Sequence, residues 1–285
     1  EPDTDDRGSS MSQATQTVPE GVAQPLPEDR AYSLFRWNAV LAALHGIQGL
    51  VILALSFARD PIVTSPVVTS YLSFDEATSS LVQAQRELFE LPIGPAVATF
   101  FFMSAIAHGL LAWPLRAWYE RRLAAGIQPM RWIEYALSSS VMIVVIAALS
   151  GIQEIGTLVA IFGINAAMNL FGWSMESANQ GRSKAQWNHY VFGCIAGIVP
   201  WIVIGIALWS ASTEPGAEPI PGFVFAIFAT LFVAFNVFAI TMILQYGKVG
   251  RWRDYLVGEK TYMFLSLFAK TLLAWQVFAG TLAPN

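Results

Sequence analysis

Long apolar runs broken by short polar connections dominate the chain from residue 34 onward. Seven runs are long enough to cross a bilayer core of about 30 Å, which needs roughly 20 helical residues. They are Leu34–Phe57, Ile93–Leu115, Trp132–Ser150, Ile155–Met175, Tyr190–Ser210, Gly222–Gln245 and Thr261–Leu282. Only Gly151, Ile152, Gln153 and Glu154 separate the third run from the fourth, which makes those two antiparallel neighbours. The pattern therefore predicts an all-α membrane protein, a seven-transmembrane helix bundle.

One connection is too long to be a plain link. Between Ala58 and Pro92, Val67–Phe74 is rich in β-branched and aromatic residues, and Ser80–Leu88 can pair with it across a turn at Asp75–Ser79. This predicts a β-hairpin in the first extracellular loop, about 59–92, lying over the outer face. Residues 1–29 are rich in Pro, Gln and acids with no apolar period, and read as a disordered tail. Glu1–Ser10, ahead of Met11, is a candidate expression remnant, and the first 30 residues hold no apolar core of the kind a secretory signal needs. Residues 30–285 read as one membrane domain.

Composition agrees. Hydrophobic residues make up 55% of the chain and charged residues 13%, about half the share a soluble domain carries. The single Cys194 excludes an intrachain disulfide. The absence of a basic patch interleaved with aromatics excludes a nucleic-acid partner. No metal-ligand spacing or nucleophile elbow points to an enzyme.

Basic residues set the orientation. Arg116, Arg121, Arg122 and Arg131 precede the third span, Arg182 and Lys184 the fifth, and Lys248, Arg251, Arg253 and Lys260 the seventh. The alternate connections carry only Arg59 and Arg86, diluted by acids. The N-terminus is thus expected in the cytoplasm and the C-terminus outside, in a multi-pass protein of the cell membrane.

With the tail and loops accounted for, one of the 16 basic residues is left over: Lys270, in the middle of the last span. At 1.5 Å per residue it lies about 15 Å from the inner end. A charge at that depth costs at least about 2.5–3.5 kcal/mol, so such a residue has a purpose. An internal ion pair, a substrate or ion site, and a covalent aldehyde adduct on a lysine of lowered pKa all fit. Glu134, one turn into the third span, is the acid best placed to pair with it. The lysine side chain points toward its helix N-terminus, and so toward the level of Glu134. Ser138, four residues from Glu134, and Ser266, four before Lys270, face these two charges. His45, Gln48, His108, Asn165 and Glu176 are further polar groups within the spans and predict a polar, hydrated cavity on the inner side.

Several motifs together resemble the heliorhodopsins, a family of retinal proteins. They are Arg131-Trp-Ile-Glu134-Tyr-Ala-Leu-Ser138-Ser-Ser, Ser266-Leu-Phe-Ala-Lys270, Leu44-His45-Gly-Ile-Gln48, His108, and Phe74-Asp-Glu-Ala-Thr ahead of Phe89-Glu-Leu. The inward N-terminus matches as well. The resemblance implies all-trans retinal bound to Lys270 as a protonated Schiff base with Glu134 as counter-ion. Ser138 and Ser266 would tune that pair, and His45 and His108 would belong to the inner cavity. It further implies photoisomerisation to 13-cis, a slow non-pumping photocycle, and a homodimer with the first outer loop at its interface. Gly193-x-x-x-Gly197 allows a close helix contact, within one subunit or between two. A photosensory role through a cytoplasmic protein partner is the expectation. The rival is light-driven or light-gated proton or ion transport, disfavoured by Val144-Val-Ile-Ala, where a pump's third span usually carries a second carboxylate.

Overall fold

In a computed structural model, residues 25–216 and 218–282 are described. Among the described residues, seven helices are long and apolar enough to cross a membrane. They are α1 (Glu28–Phe57), α2 (Ile93–Ala112), α4 (Pro129–Leu149), α5 (Ile155–Asn179), α6 (Asn188–Thr213), α7 (Gly222–Tyr246) and α8 (Tyr255–Val277), the last prolonged by a π-helical turn, Phe278–Leu282. The short α3 (Arg116–Ala124) lies between α2 and α4, and a 3-10 turn, Gly250–Arg253, lies between α7 and α8.

The differences from the apolar runs are physical. Several helices extend past their hydrocarbon-matched stretch where polar residues still find partners, while α2 stops at Ala112, short of the expected Leu115. α1 starts at Glu28 and, at 30 residues, is about 45 Å long. Its extra turns are held by Arg30, which pairs with Asp254 at 2.6 Å. The tail expected over residues 1–29 is therefore too long by Glu28 and Asp29, and its first 24 residues, with the candidate remnant Glu1–Ser10, lie outside the described residues. Asp254 also caps α8, accepting from Leu256 N at 3.0 Å, so that helix begins six residues before its expected start at Thr261. Glu259 and Lys260, before the expected seventh span, thus belong to α8, and Arg131, before the third, belongs to α4, which starts at Pro129.

The hairpin forms as antiparallel β1 (Thr64–Asp75) and β2 (Ser80–Pro92), with Phe74 opposite Leu81 and a bulge between Val67 and Val68. Asp75 shapes its turn, accepting from Ala77 N at 2.9 Å and Thr78 Oγ1 at 3.0 Å, and Ser79 takes φ 50°. Only the base of the hairpin is held by the bundle. Val67 is buried in the core, and Val68 N donates to Gln153 O at 2.9 Å in the α4–α5 turn. Glu154 in that turn caps α5, accepting from Thr157 N at 2.7 Å.

Burial sorts by depth. The half of the bundle nearest the hairpin packs Ile93, Val97, Phe101, Ile143, Ile146, Leu273 and Val277 in one apolar cluster. There α2 comes so close to α1 that a Cβ on Gly94 would stand 2.2 Å from Ser56 Oγ. The half nearest the basic connections buries Asn38, Gln128, Arg131, Glu176, Gln245 and Glu259.

Candidate functional site

Lys270 and Glu134 meet at the boundary between these halves. Lys270 Nζ lies 3.3 Å from Glu134 Oε1, and both side chains are more than nine-tenths buried. Each charge has a hydroxyl partner. Ser266, one helical turn before Lys270, accepts from Nζ at 2.8 Å. Ser104 of α2 donates to Glu134 Oε1 at 2.6 Å. Ser104 escaped the sequence reading, since a lone serine in an apolar helix commonly bonds back to its own backbone. It does this too, with Phe100 O at 3.1 Å. Ser138 is fully buried one turn beyond Glu134 and interacts with the same carboxylate. The Tyr135 ring, fixed by its hydroxyl donating to Tyr262 O at 2.8 Å, lies 5.5 Å from Lys270 Nζ.

Two cavities flank this pair, with Tyr135 in the wall of both. The larger, about 390 Å³, has Lys270, Ser266 and Ala269 on one side. Apart from Tyr262 of α8, its remaining walls come from α4 to α7, and Met142, Trp201, Phe235 and Phe238 make them largely apolar. Trp201 is clamped edge-on by Phe228, Phe232 and Phe235 at 5.4–5.6 Å. Glycine lets the α5 wall come close: a Cβ on Gly172 would stand 2.2 Å from the Trp132 ring, and one on Gly197 2.5 Å from Met168 Sδ. Gly193-x-x-x-Gly197 thus faces α5 of the same chain. The volume and lining suit a mostly apolar ligand of some twenty heavy atoms. The lysine on the wall presents one amine to this apolar space, so these residues fit retinal.

The smaller cavity, about 20 Å³, is lined by His108, Gln128, Arg131, Glu134 and Glu259. That is room for about one water. Of the five groups expected in a polar cavity, His108 lines this one, while His45, Gln48, Asn165 and Glu176 sit around or apart from it. His45 stacks on His108 at 5.6 Å, and neither of its nitrogens has a hydrogen-bond partner among the described residues. Gln48 accepts from Thr271 Oγ1 at 2.9 Å on α8. Asn165 donates to Ser139 and Ser140 at 2.8 and 3.0 Å, binding α5 to α4 away from the cavity.

Glu176 is buried beneath the cavity in an ion cluster that the sequence reading missed. Arg131 bonds Glu176 through one nitrogen and Glu259 through the other, its guanidinium 4.3 Å from the Tyr262 ring centre. Gln128 N and Tyr255 Oη, each at 2.9 Å, also donate to Glu176. The missed signal was spacing. Arg131 and Glu134, three apart, lie on one helix face, so a buried Glu134 brings Arg131 in with it.

No curated protein matches the chain. A family model, Heliorhodopsin, matches residues 34–282, a span that includes the hairpin, Glu134 and Lys270. With nearly its whole described length matched and seven membrane-length helices around a lysine-walled cavity, this chain belongs to the heliorhodopsin family of retinal-binding membrane photoreceptors.

Proposed function

We propose that Lys270 holds all-trans retinal through its side-chain nitrogen, that Glu134 is the counter-ion, and that the protein senses light without pumping ions. The observation that carries this reading is the buried Lys270–Glu134 pair on the wall of an aromatic cavity large enough for the chromophore. When bound, retinal supplies visible absorption and a light-driven all-trans to 13-cis isomerisation.

The chain's own residues do the rest. Trp201, Met142 and Phe235 hold the apolar body and exclude water. Ser266 and Glu134 orient the Lys270 nitrogen, and Ser104, with Ser138 buried beside it, sets the charge density on the carboxylate. Glu134 Oε1, at 3.3 Å, is the carboxylate that can take a proton leaving that nitrogen. His108 and Glu259 share the small cavity on its far side, so a displaced proton has somewhere to reside on the polar side. On the hairpin side the buried Ile143, Val145, Ile146 and Ala147 offer no acceptor, which supports a photosensory rather than a transport role.

The basic connections support a cytoplasmic polar half, where a protein partner would read the signal. The hairpin leaves Tyr71, Leu72, Phe74 and Leu81 exposed, which supports a homodimer formed through it. The deciding experiment is the visible spectrum of the chain expressed with all-trans retinal. The expected result is a band that disappears in Lys270→Ala. No band, or a band that survives this substitution, refutes the assignment.

A further inference from the structure

The short helix α3 does not cross the membrane, yet one of its side chains reaches the centre of the buried polar half. Tyr119 is 1% exposed, and its hydroxyl donates to Glu259 Oε1 at 2.9 Å. The Asn38 side chain also interacts with this hydroxyl. Asn38 Oδ1 bonds His108 Nδ1 at 2.8 Å, and His108 stacks on His45. Two polar branches therefore converge on Tyr119, one through Glu259 and Arg131, the other through Asn38 and His108. Arg131, Glu259 and His108 all line the small cavity whose remaining charged wall is Glu134. Burial and the Glu259 carboxylate hold the Tyr119 phenol well above its usual pKa, so it remains a donor to Glu259.

The rest of α3 is held at its edges, by Arg116 over the Phe35 ring at 5.0 Å and by partly buried Trp118. Nine residues are too few for a helix to be stable alone. Its one other buried side chain is Leu123, in a small cluster with Leu34, Leu111 and Leu256. Ala117, Arg121 and Arg122 are exposed.

We propose that α3 is the element through which the state of the Lys270–Glu134 pair reaches the membrane surface, with the Tyr119–Glu259 hydrogen bond as the coupling. A charge that leaves Lys270 or arrives at Glu134 changes the field on Arg131, which faces the same cavity and holds Glu259. Glu259 is the acceptor that keeps Tyr119, and with it α3, docked. Retensioning that carboxylate alters how firmly the surface helix is held. This inference rests on the retinal reading of Lys270.

Hydrogen exchange of the backbone amides of residues 116–124 tests it, on the retinal-loaded full chain in lipid nanodiscs, in the dark and under continuous light. Exchange in α3 should quicken in the light by about threefold or more while peptides from α6 stay unchanged. Tyr119→Phe should retain the visible band but lose the light–dark difference, its dark exchange already being raised. Identical α3 exchange in light and dark, in a protein whose band bleaches and recovers, overturns the proposal. So does a Tyr119→Phe protein that keeps the full difference. If Tyr119→Phe does not hold the chromophore, the wild-type comparison decides alone. Absence of any visible band would instead defeat the retinal assignment.

Discussion

Replacing Glu134 by Gln removes one charge from a buried pair and leaves the volume and a hydrogen-bond acceptor in place. At 3.3 Å, two unit charges interact by about 5 kcal/mol at an effective dielectric of 20, against about 1.3 kcal/mol in bulk water. Removing one partner of a buried ion pair costs about 3–5 kcal/mol by experience elsewhere, so the two routes agree. The Ser104 hydroxyl contributes less, about 1.5–3 kcal/mol for a hydrogen bond to a charged group. Positive charge on the Lys270 nitrogen thus loses most of its support in Glu134→Gln and a smaller part in Ser104→Ala. The assay is the absorption spectrum of the retinal-loaded variants at neutral pH. Glu134→Gln should move the visible band to longer wavelength, by an energy no greater than about 5 kcal/mol, or abolish it in favour of near-ultraviolet absorption. Ser104→Ala should shift it less. An unchanged spectrum in Glu134→Gln, or a larger change in Ser104→Ala, refutes this account of the pair.

Two further outcomes follow from the cavities and their walls. Gly172→Ala drives a Cβ into the Trp132 ring, an overpacking worth about 1–3 kcal/mol, and should lower thermal stability and slow retinal uptake, as followed by the growth of the visible band. Vesicles carrying the loaded protein should show no sustained photocurrent or pH change under steady light, because the apolar hairpin half offers no path; a steady current would restore the transport reading.

The helices were legible because hydrocarbon thickness imposes a length, and the hairpin because a long connection rich in β-branched and aromatic residues has no other ordinary use. Lys270 and Glu134 stood out for a related reason: a charge inside an apolar run has no ordinary explanation. What stayed hidden lay at the ends of the runs. Arg131 and Glu259 sit where an apolar stretch gives way to polar residues, and there the same letters serve a solvated loop or a buried cluster equally well. Only the neighbouring helices decide, and α5 supplies Glu176 from 45 positions away in sequence. Asn165 misled for a complementary reason. Depth is readable from position along a span, but which neighbour a face meets is not, and α5 turns Asn165 toward Ser139 and Ser140 rather than toward the histidines.

The crossed charges of α4 and α8 also bear on how the chain is made. Arg131 and Glu134 are synthesised more than a hundred residues before their partners Glu259 and Lys270. Until α8 emerges, α4 holds two ionisable groups in the bilayer, and only Glu176 of α5 is there to meet the first of them. α8 in turn cannot settle cheaply in lipid without α4, since both its buried charges find their counterparts on that one helix. The last helix therefore brings counterparts to charges already in place rather than adding one more apolar rod. Its insertion is the step that commits the bundle, and a chain stopped before α8 leaves Glu134 stranded without a counter-charge in the membrane.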